Sequence, residues 1–519
     1  MSINLIKEEV RTTEVVCQKY SQSMVECDVI VPDVKPDIRR VLEVSGTVSL
    51  TQKLLQQDKI LLQGVVRMTV LYLPDDGGYI KSLNAMQEFT HAIDCRGILP
   101  EMQLLAEAES ENFDSTLINS RKLNLRCILG IGVKVTRPVL LEIAGDVADA
   151  PSVVLKQQPL RILSGADHTE CQIILREQLE LPSGKPTIGE ILKITAAPTG
   201  IELCMMNDKA VAKGQVKICT LYLDESETPT LQFMEHAIPF TEILDADGIR
   251  EEMNGEVEYT LNDMYYEIRE DSDGEARNLG LELVLGALLR CNETREVPAI
   301  VDAYSLNGDI SIQTKPHHLE QLLDQRTAEL TIKDTAKLPS MLPGLKQICD
   351  VNATAKIDRI SAENGQITVF GTVHTRILYL SSDETAPISA FSHVSEFSHT
   401  FDIEGADTNT VCDARVMTEH VSYTIAGENS LDLRFILGLS LKALQTGSVP
   451  LIDELCEVPM ESSAFPAMLL YFVQEGDSLW SIAKRYHTTI DTVNALNHLE
   501  SDTIYPGQQL KLLAQNTAT

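Results

Sequence analysis

Basic residues are the first shortage in this sequence: 43 lysines and arginines face 76 aspartates and glutamates, for a net charge of -33. A surface of that sign repels phosphate backbones and anionic headgroups, which argues against nucleic acid or acidic membranes as general partners. Long apolar runs are missing as well. No stretch approaches the roughly 18 residues that would span a bilayer, and the opening "MSINLIKEEVRTTEVV" has neither the apolar core nor the cleavage site of an export signal. The expected compartment is the cytoplasm. Cysteine occurs eleven times but never as C-x-x-C, so the thiols are expected to be reduced and buried, without a disulfide framework. Catalytic and metal signatures are absent too: there is no H-E-x-x-H, P-loop or G-x-S-x-G, and the adjacent His317 and His318 cannot share one face of a strand or helix. Aromatics make up only 5 %, with a single tryptophan, Trp480.

Repetition is what the chain has in abundance. "VPDVKPDIRRVLEVSGTV" from Val31, "LPSGKPTIGEILKITAAP" from Leu181 and "LPSMLPGLKQICDVNATA" from Leu338 align, each with two prolines four apart: Pro32/Pro36, Pro182/Pro186 and Pro339/Pro343. Downstream, "GVVRMTVLYL", "GQVKICTLYL" and "GTVHTRILYL" place Gly64, Gly214 and Gly371 eight residues before Tyr72, Tyr222 and Tyr379. The interval from second proline to tyrosine is 36 residues every time. "LNLRCILG", "LGLELVLG" and "LDLRFILG" then end at Gly130, Gly286 and Gly438. A period of 150 and then 157 residues is too long for a solenoid unit and suits one domain per repeat.

Within each repeat the runs are rich in β-branched residues, alternate partly with period two, and end in polar turns such as "PDDGG". The expected fold is mainly β: three tandem antiparallel sandwiches of roughly seven strands, over 12–158, 159–316 and 317–456. The proline pairs are expected to set a stiff entry into a strand, and the shared glycine and tyrosine to mark a bulge and a core aromatic rather than a binding site. Comparison of the repeats also tests for nucleophiles. Cys127 aligns with Leu283 and Phe435, and Cys219 with Thr69 and Arg376, so neither looks catalytic. Acidic pairs abound through composition alone, which leaves a glycosidase dyad open but unmarked.

After a linker at 457–468 the pattern turns helical. Asp477 suits an N-cap, and Leu479, Ile482, Ala483 and Tyr486 make an apolar stripe; Thr489 caps a second helix with Ile490, Val493 and Leu496 inward and Asn497 near its end. "YFVQ" before and "QLKLL" after read as strands, giving β-α-α-β over 469–514. This unit, in "VQEGDSLWSIAKRY", "IDTVNALN" and "IYPGQQLKL", resembles a LysM domain. The resemblance implies a shallow groove for N-acetylglucosamine-containing glycan, with Gly476, Asp477, Ser478 and Leu479 on one side and Ile504, Tyr505 and Pro506 on the other. Two roles suit Trp480: covering a small core, or contacting a ligand or partner. With Leu479, Ile504 and Tyr505 it would form an apolar cluster of the kind that anchors a protein interface.

Tandem β repeats of this size followed by a LysM unit resemble the SipL-type spore coat morphogenetic family, whose repeats are SPOCS domains. That resemblance implies a non-enzymatic scaffold without cofactor, made in the mother cell cytoplasm and recruited to the forespore surface and coat. Its expected partners are a coat basement-layer ATPase or another coat morphogenetic protein, with peptidoglycan as a further ligand of the groove. The alternative is a peptidoglycan-remodelling hydrolase targeted by its LysM unit.

Overall fold

The computed structural model describes residues 2–383, 388–427, 429–458, 468–499 and 501–513; the expected linker lies almost wholly outside them, as does the His318 side chain. Three copies of one six-stranded unit make up most of the chain. In the first, β1 (Ser2–Ile30), β2 (Ile38–Gln56), β3 (Lys59–Pro74), β4 (Lys81–Asp94), β5 (Gln103–Asn119) and β6 (Lys122–Ala148) form two antiparallel layers, β2-β3-β4 and β1-β6-β5. The second copy uses β7 (Val153–Glu180), β8 (Ile188–Met206), β9 (Lys209–Asp224), β10 (Leu231–Asp245), β11 (Asn254–Glu270) and β12 (Ala276–Ser305) in the same order. The third uses β13 (Asp309–Lys337), β14 (Leu345–Glu363), β15 (Gln366–Ser381), β16 (Ile388–Asp402), β17 (Thr410–Ile425) and β18 (Ser430–Val458). The fold is mainly β, as the sequence implies, but each repeat has six strands rather than seven. The starts expected at 12, 159 and 317 fall inside β1, β7 and β13, because the motifs that mark a repeat lie downstream of these long first strands.

Period-two burial builds each sandwich. Leu123, Leu125, Cys127, Leu129, Ile131, Val133 and Val135 all point inward from β6 onto Ile60, Leu62, Val66, Met68, Val70 and Tyr72 of β3. Equivalent ladders run from Leu279 to Cys291 and from Leu431 to Ala443. The constant 36-residue interval has a direct cause: Tyr72, Tyr222 and Tyr379 are fully buried, and their hydroxyls donate to the carbonyls of Pro36, Pro186 and Pro343 at 3.2, 3.0 and 2.8 Å. The first proline of each pair accepts the hydrogen bond of a tight turn, from Lys35, Lys185 or Leu342, where the chain crosses from one layer to the other.

The shared glycines leave room for side chains. Gly64, Gly214 and Gly371 stand directly across the ladder from Phe89, Phe240 and Phe397, and a Cβ would approach those rings to 2.6, 3.0 and 2.4 Å. The bulge expected at these glycines instead lies on the neighbouring strand, opposite them, in β2, β8 and β14.

The three sandwiches gather round a common axis. Leu42, Leu192 and Cys349, which occupy one repeat position, join Leu71, Leu221 and Leu378 in a single cluster. The outer halves of β1 and β6, β7 and β12, and β13 and β18 form arms that pack on one another through Val10, Leu141, Ile162, Val297 and Leu451. The ring closes where Ser2 and Ile3 of β1 pair with Cys456 and Leu455 of β18. Both thiol expectations need correcting: Cys204 is exposed, and Cys17 and Cys95, 78 residues apart, are joined in a disulfide. Only their positions in β1 and just beyond β4 bring them together, which spacing could not reveal.

Candidate functional site

The C-terminal unit folds as β19 (Leu469–Phe472), α1 (Leu479–Arg485), α2 (Ile490–Asn497) and β20 (Gln509–Leu512), the order read from the sequence. Tyr471, Val473, Leu479, Ile482, Val493, Leu510 and Leu512 make its core. Ser478, not Asp477, is the N-cap of α1: its hydroxyl accepts from the Ser481 amide, and the Ser481 hydroxyl accepts from the Ser478 amide. Asp477 caps the preceding turn instead, accepting from the Tyr471 hydroxyl at 2.6 Å and the Gln474 amide at 2.8 Å, and these bonds hold its carboxyl below the usual range. Thr489 caps α2, and Asn497 ties that helix to Lys511 of β20 through both its amide oxygen and nitrogen.

The groove residues divide. Gly476, Ser478, Tyr505 and Pro506 are exposed, and Asp477 and Ile504 are partly covered. Gly476 has φ +88°, which explains why the loop needs glycine there. Leu479 is only 3 % exposed and belongs to the core. Trp480 is turned away from the groove. Its indole N–H donates to Asp302 of the second repeat at 2.7 Å, and its ring meets Tyr304 edge-on at 4.9 Å. The expected apolar cluster of Leu479, Trp480, Ile504 and Tyr505 is therefore not presented as one surface, because two of its members are packed elsewhere.

Trp480 thus has a third role, which neither sequence reading contained. Lys484 also reaches Asp302, the Tyr304 hydroxyl donates to the Thr488 carbonyl at 2.7 Å, and the His487 ring contacts the Ser305 carbonyl at 2.8 Å. Asp302 and Tyr304 were missed because 178 residues separate Asp302 from its partner. The one sequence signal was Tyr304 itself, an aromatic at a repeat position otherwise held by Ala148 and Cys456.

Other features of the repeats offer little chemistry. Burial pushes the Cys127 and Cys349 thiols up to about 12 and Cys219 to about 11, so they are protonated near neutrality and poor nucleophiles. A cavity of about 2410 Å³ lies between the three repeats. Part of its charged lining is paired internally: Arg290 and Arg415 each bridge Glu107 and Glu258, and Lys53 pairs with Glu170. Among the described residues no cluster of His, Cys, Asp and Glu is placed to hold a metal, and no helix is long and apolar enough to cross a membrane.

Comparison with known proteins agrees with this division of the chain. The family model described as "SipL, SPOCS domain" matches residues 37–118, 187–269 and 345–426, which are the four central strands of each repeat, and the LysM domain model matches 471–512. Over 47 residues the chain is 43 % identical to the probable peptidoglycan endopeptidase LytE of Bacillus subtilis (strain 168), covering 9 % of this chain and 14 % of that protein. It is 47 % identical over 47 residues to a probable N-acetylmuramidase of Lactococcus lactis subsp. cremoris, covering 9 % and 10 %. Over 43 residues it is 46 % identical to the uncharacterized protein YkzQ of Bacillus subtilis (strain 168), covering 8 % and 57 %. These likenesses are confined to the LysM module, and the chain spans less than two thirds of each relative's length. No solved structure matches the chain.

Proposed function

This chain has the SipL-type architecture, three SPOCS domains followed by a LysM domain, and on that premise we propose that it is a non-enzymatic scaffold at the surface of the developing spore. The LysM domain supports glycan binding and the SPOCS family a sporulation role. The further reading is that the ring of repeats attaches coat to the forespore while the LysM groove holds N-acetylglucosamine-containing glycan. One observation carries it. Gly476, Ser478, Tyr505 and Pro506 are left exposed while the opposite requirement, an anchor for a protein partner, has lost Leu479 to the core and Trp480 to Asp302.

Protein partners, a coat basement-layer ATPase or another coat morphogenetic protein, then fall to the repeats. There the C-terminal halves of β5, β11 and β17 expose Ile118, Tyr265 and Tyr423, aromatic and apolar groups of the kind that anchor interfaces. The hydrolase alternative has less support: SPOCS repeats are not an enzyme family, and the likeness to LytE and to the Lactococcus lactis N-acetylmuramidase covers only 47 residues of each. Calorimetric titration of the full chain with N-acetylglucosamine oligomers tests the groove. Tyr505→Ala should weaken binding by about 1 to 2 kcal/mol, the worth of a ring covered by a sugar face. Unchanged affinity would remove Tyr505 from the site.

A further inference from the structure

Three groups are buried where α1 and the turn after it meet the end of the second repeat's arm, two on the arm and one on the turn. Tyr304 is 3 % exposed, Ser305 is fully buried and Thr488 is 3 % exposed. Each has a partner across the contact or beside it: Tyr304 donates to Thr488, and the Ser305 carbonyl faces the His487 ring. Asp302 lies at the centre with one carboxylate oxygen for the Trp480 indole and the other for the Lys484 ammonium. Lys156 of β7 lies 5.9 Å from the centre of the Trp480 ring, within reach of a cation–π attraction.

Chain connectivity explains only part of this arrangement. Val458, the last residue of β18, is paired with Asp309, so the chain leaves the third repeat beside the turn that joins β12 to β13. All three arms end near that point, since Ile3, Val147, Val153, Ala303, Leu455 and Ile310 share one cluster. A β-bulge interrupts every arm, and the residues that follow it are Asp146, Asp302 and Glu454. The acid is common to the three arms. Two positions on, however, the arms carry Ala148, Tyr304 and Cys456, and then Asp149, Ser305 and Glu457. Only the second arm adds a ring for the indole and a neutral residue where its neighbours have a second carboxylate.

We propose that Asp302, Tyr304 and Ser305 form a dedicated receptor for the LysM domain, so that the module rides on the second repeat as one rigid body rather than on a tether. The contact uses the α1 face that carries Trp480 and Lys484, and leaves the loops at Gly476 and Tyr505 to solvent. What the groove binds does not enter into this inference.

Trp480, the only tryptophan, reports the docked state directly. In the full chain its emission should be that of a shielded indole with restricted access to acrylamide, and X-ray scattering should give a compact particle. Tyr304→Ala should shift the emission to longer wavelength, raise quenching several-fold and lengthen the maximum dimension, with far-UV circular dichroism unchanged. Asp302→Asn keeps the volume and removes the charge, and should produce the same changes in smaller degree even if the alanine variant fails to fold. Wild-type protein that already shows an exposed indole and an extended particle, or emission and scattering that neither substitution alters, would overturn the proposal.

Discussion

Hydrogen bonds across long stretches of chain decide the informative residues of this molecule. The tyrosine and proline spacing was fully legible, because 36 residues separate a donor and an acceptor that touch in all three repeats. Asp302 was not, since a lone aspartate in a chain with 76 acids carries no mark. Its chemistry gives a pH prediction. Burial alone would raise the Asp302 carboxyl, but hydrogen bonds from Lys484 and the Trp480 indole outweigh it and hold the group below the usual carboxylate range. A depressed folded value means the docking contribution is complete above the ordinary aspartate value, about 3.9, and is lost as pH falls through the folded value. Trp480 emission should therefore stay constant from neutral pH down to the carboxylate range and shift red only below it. A shift centred near neutrality would contradict this assignment.

At the level of single elements, strands were legible as strands and their ends were not. Alternation in "LNLRCILG" and its sisters marks the buried ladders, yet nothing local signals that β6, β12 and β18 run on for 27, 30 and 29 residues into the arms. The helices show the same limit at smaller scale. Both were placed correctly, but the first cap moved from Asp477 to Ser478, because Asp477 found stronger partners in Tyr471 and Gln474. The shared glycines are the clearest case of an element under steric rule. At Gly371 an added Cβ would stand 2.3 Å from the Lys356 carbonyl oxygen and 2.4 Å from the Phe397 ring. Gly371→Ala should therefore destabilise the chain by about 1 to 3 kcal/mol, the usual cost of overpacking, in chemical denaturation. The control is Gly132→Ala, where nothing lies within 4 Å. Equal stability of the two variants would remove the packing explanation.

For the whole molecule, threefold repetition creates a problem that divergence solves. One position in each repeat faces the axis, and there the chain places Glu43, Lys193 and Asp350, with the Lys193 ammonium 2.8 Å from Glu43 and 3.0 Å from Asp350. Three identical charges at that point would repel in a medium where water cannot screen them. Burial alone would push Lys193 down, but the two carboxylates outweigh it and hold the group above the ordinary lysine range. The same device recurs at Glu107, Glu258 and Arg415. Lys193→Met leaves the buried Glu43 and the partly buried Asp350 unmatched and should cost about 3 kcal/mol, whereas replacing all three with apolar residues should restore most of it. A thermal melt of the two variants separates these outcomes, and a single substitution without effect would deny the triad a structural part. None of this was readable from one repeat, since the residues meet only in the assembled ring.

Co-sedimentation of the intact chain with purified peptidoglycan, scored for both bound protein and released sugar or amino groups, tests the scaffold reading most directly. The chain should pellet with the wall material, be displaced by soluble N-acetylglucosamine oligomers, and leave the polymer uncut. Protein that stays in the supernatant, or wall fragments that accumulate with time, would contradict it.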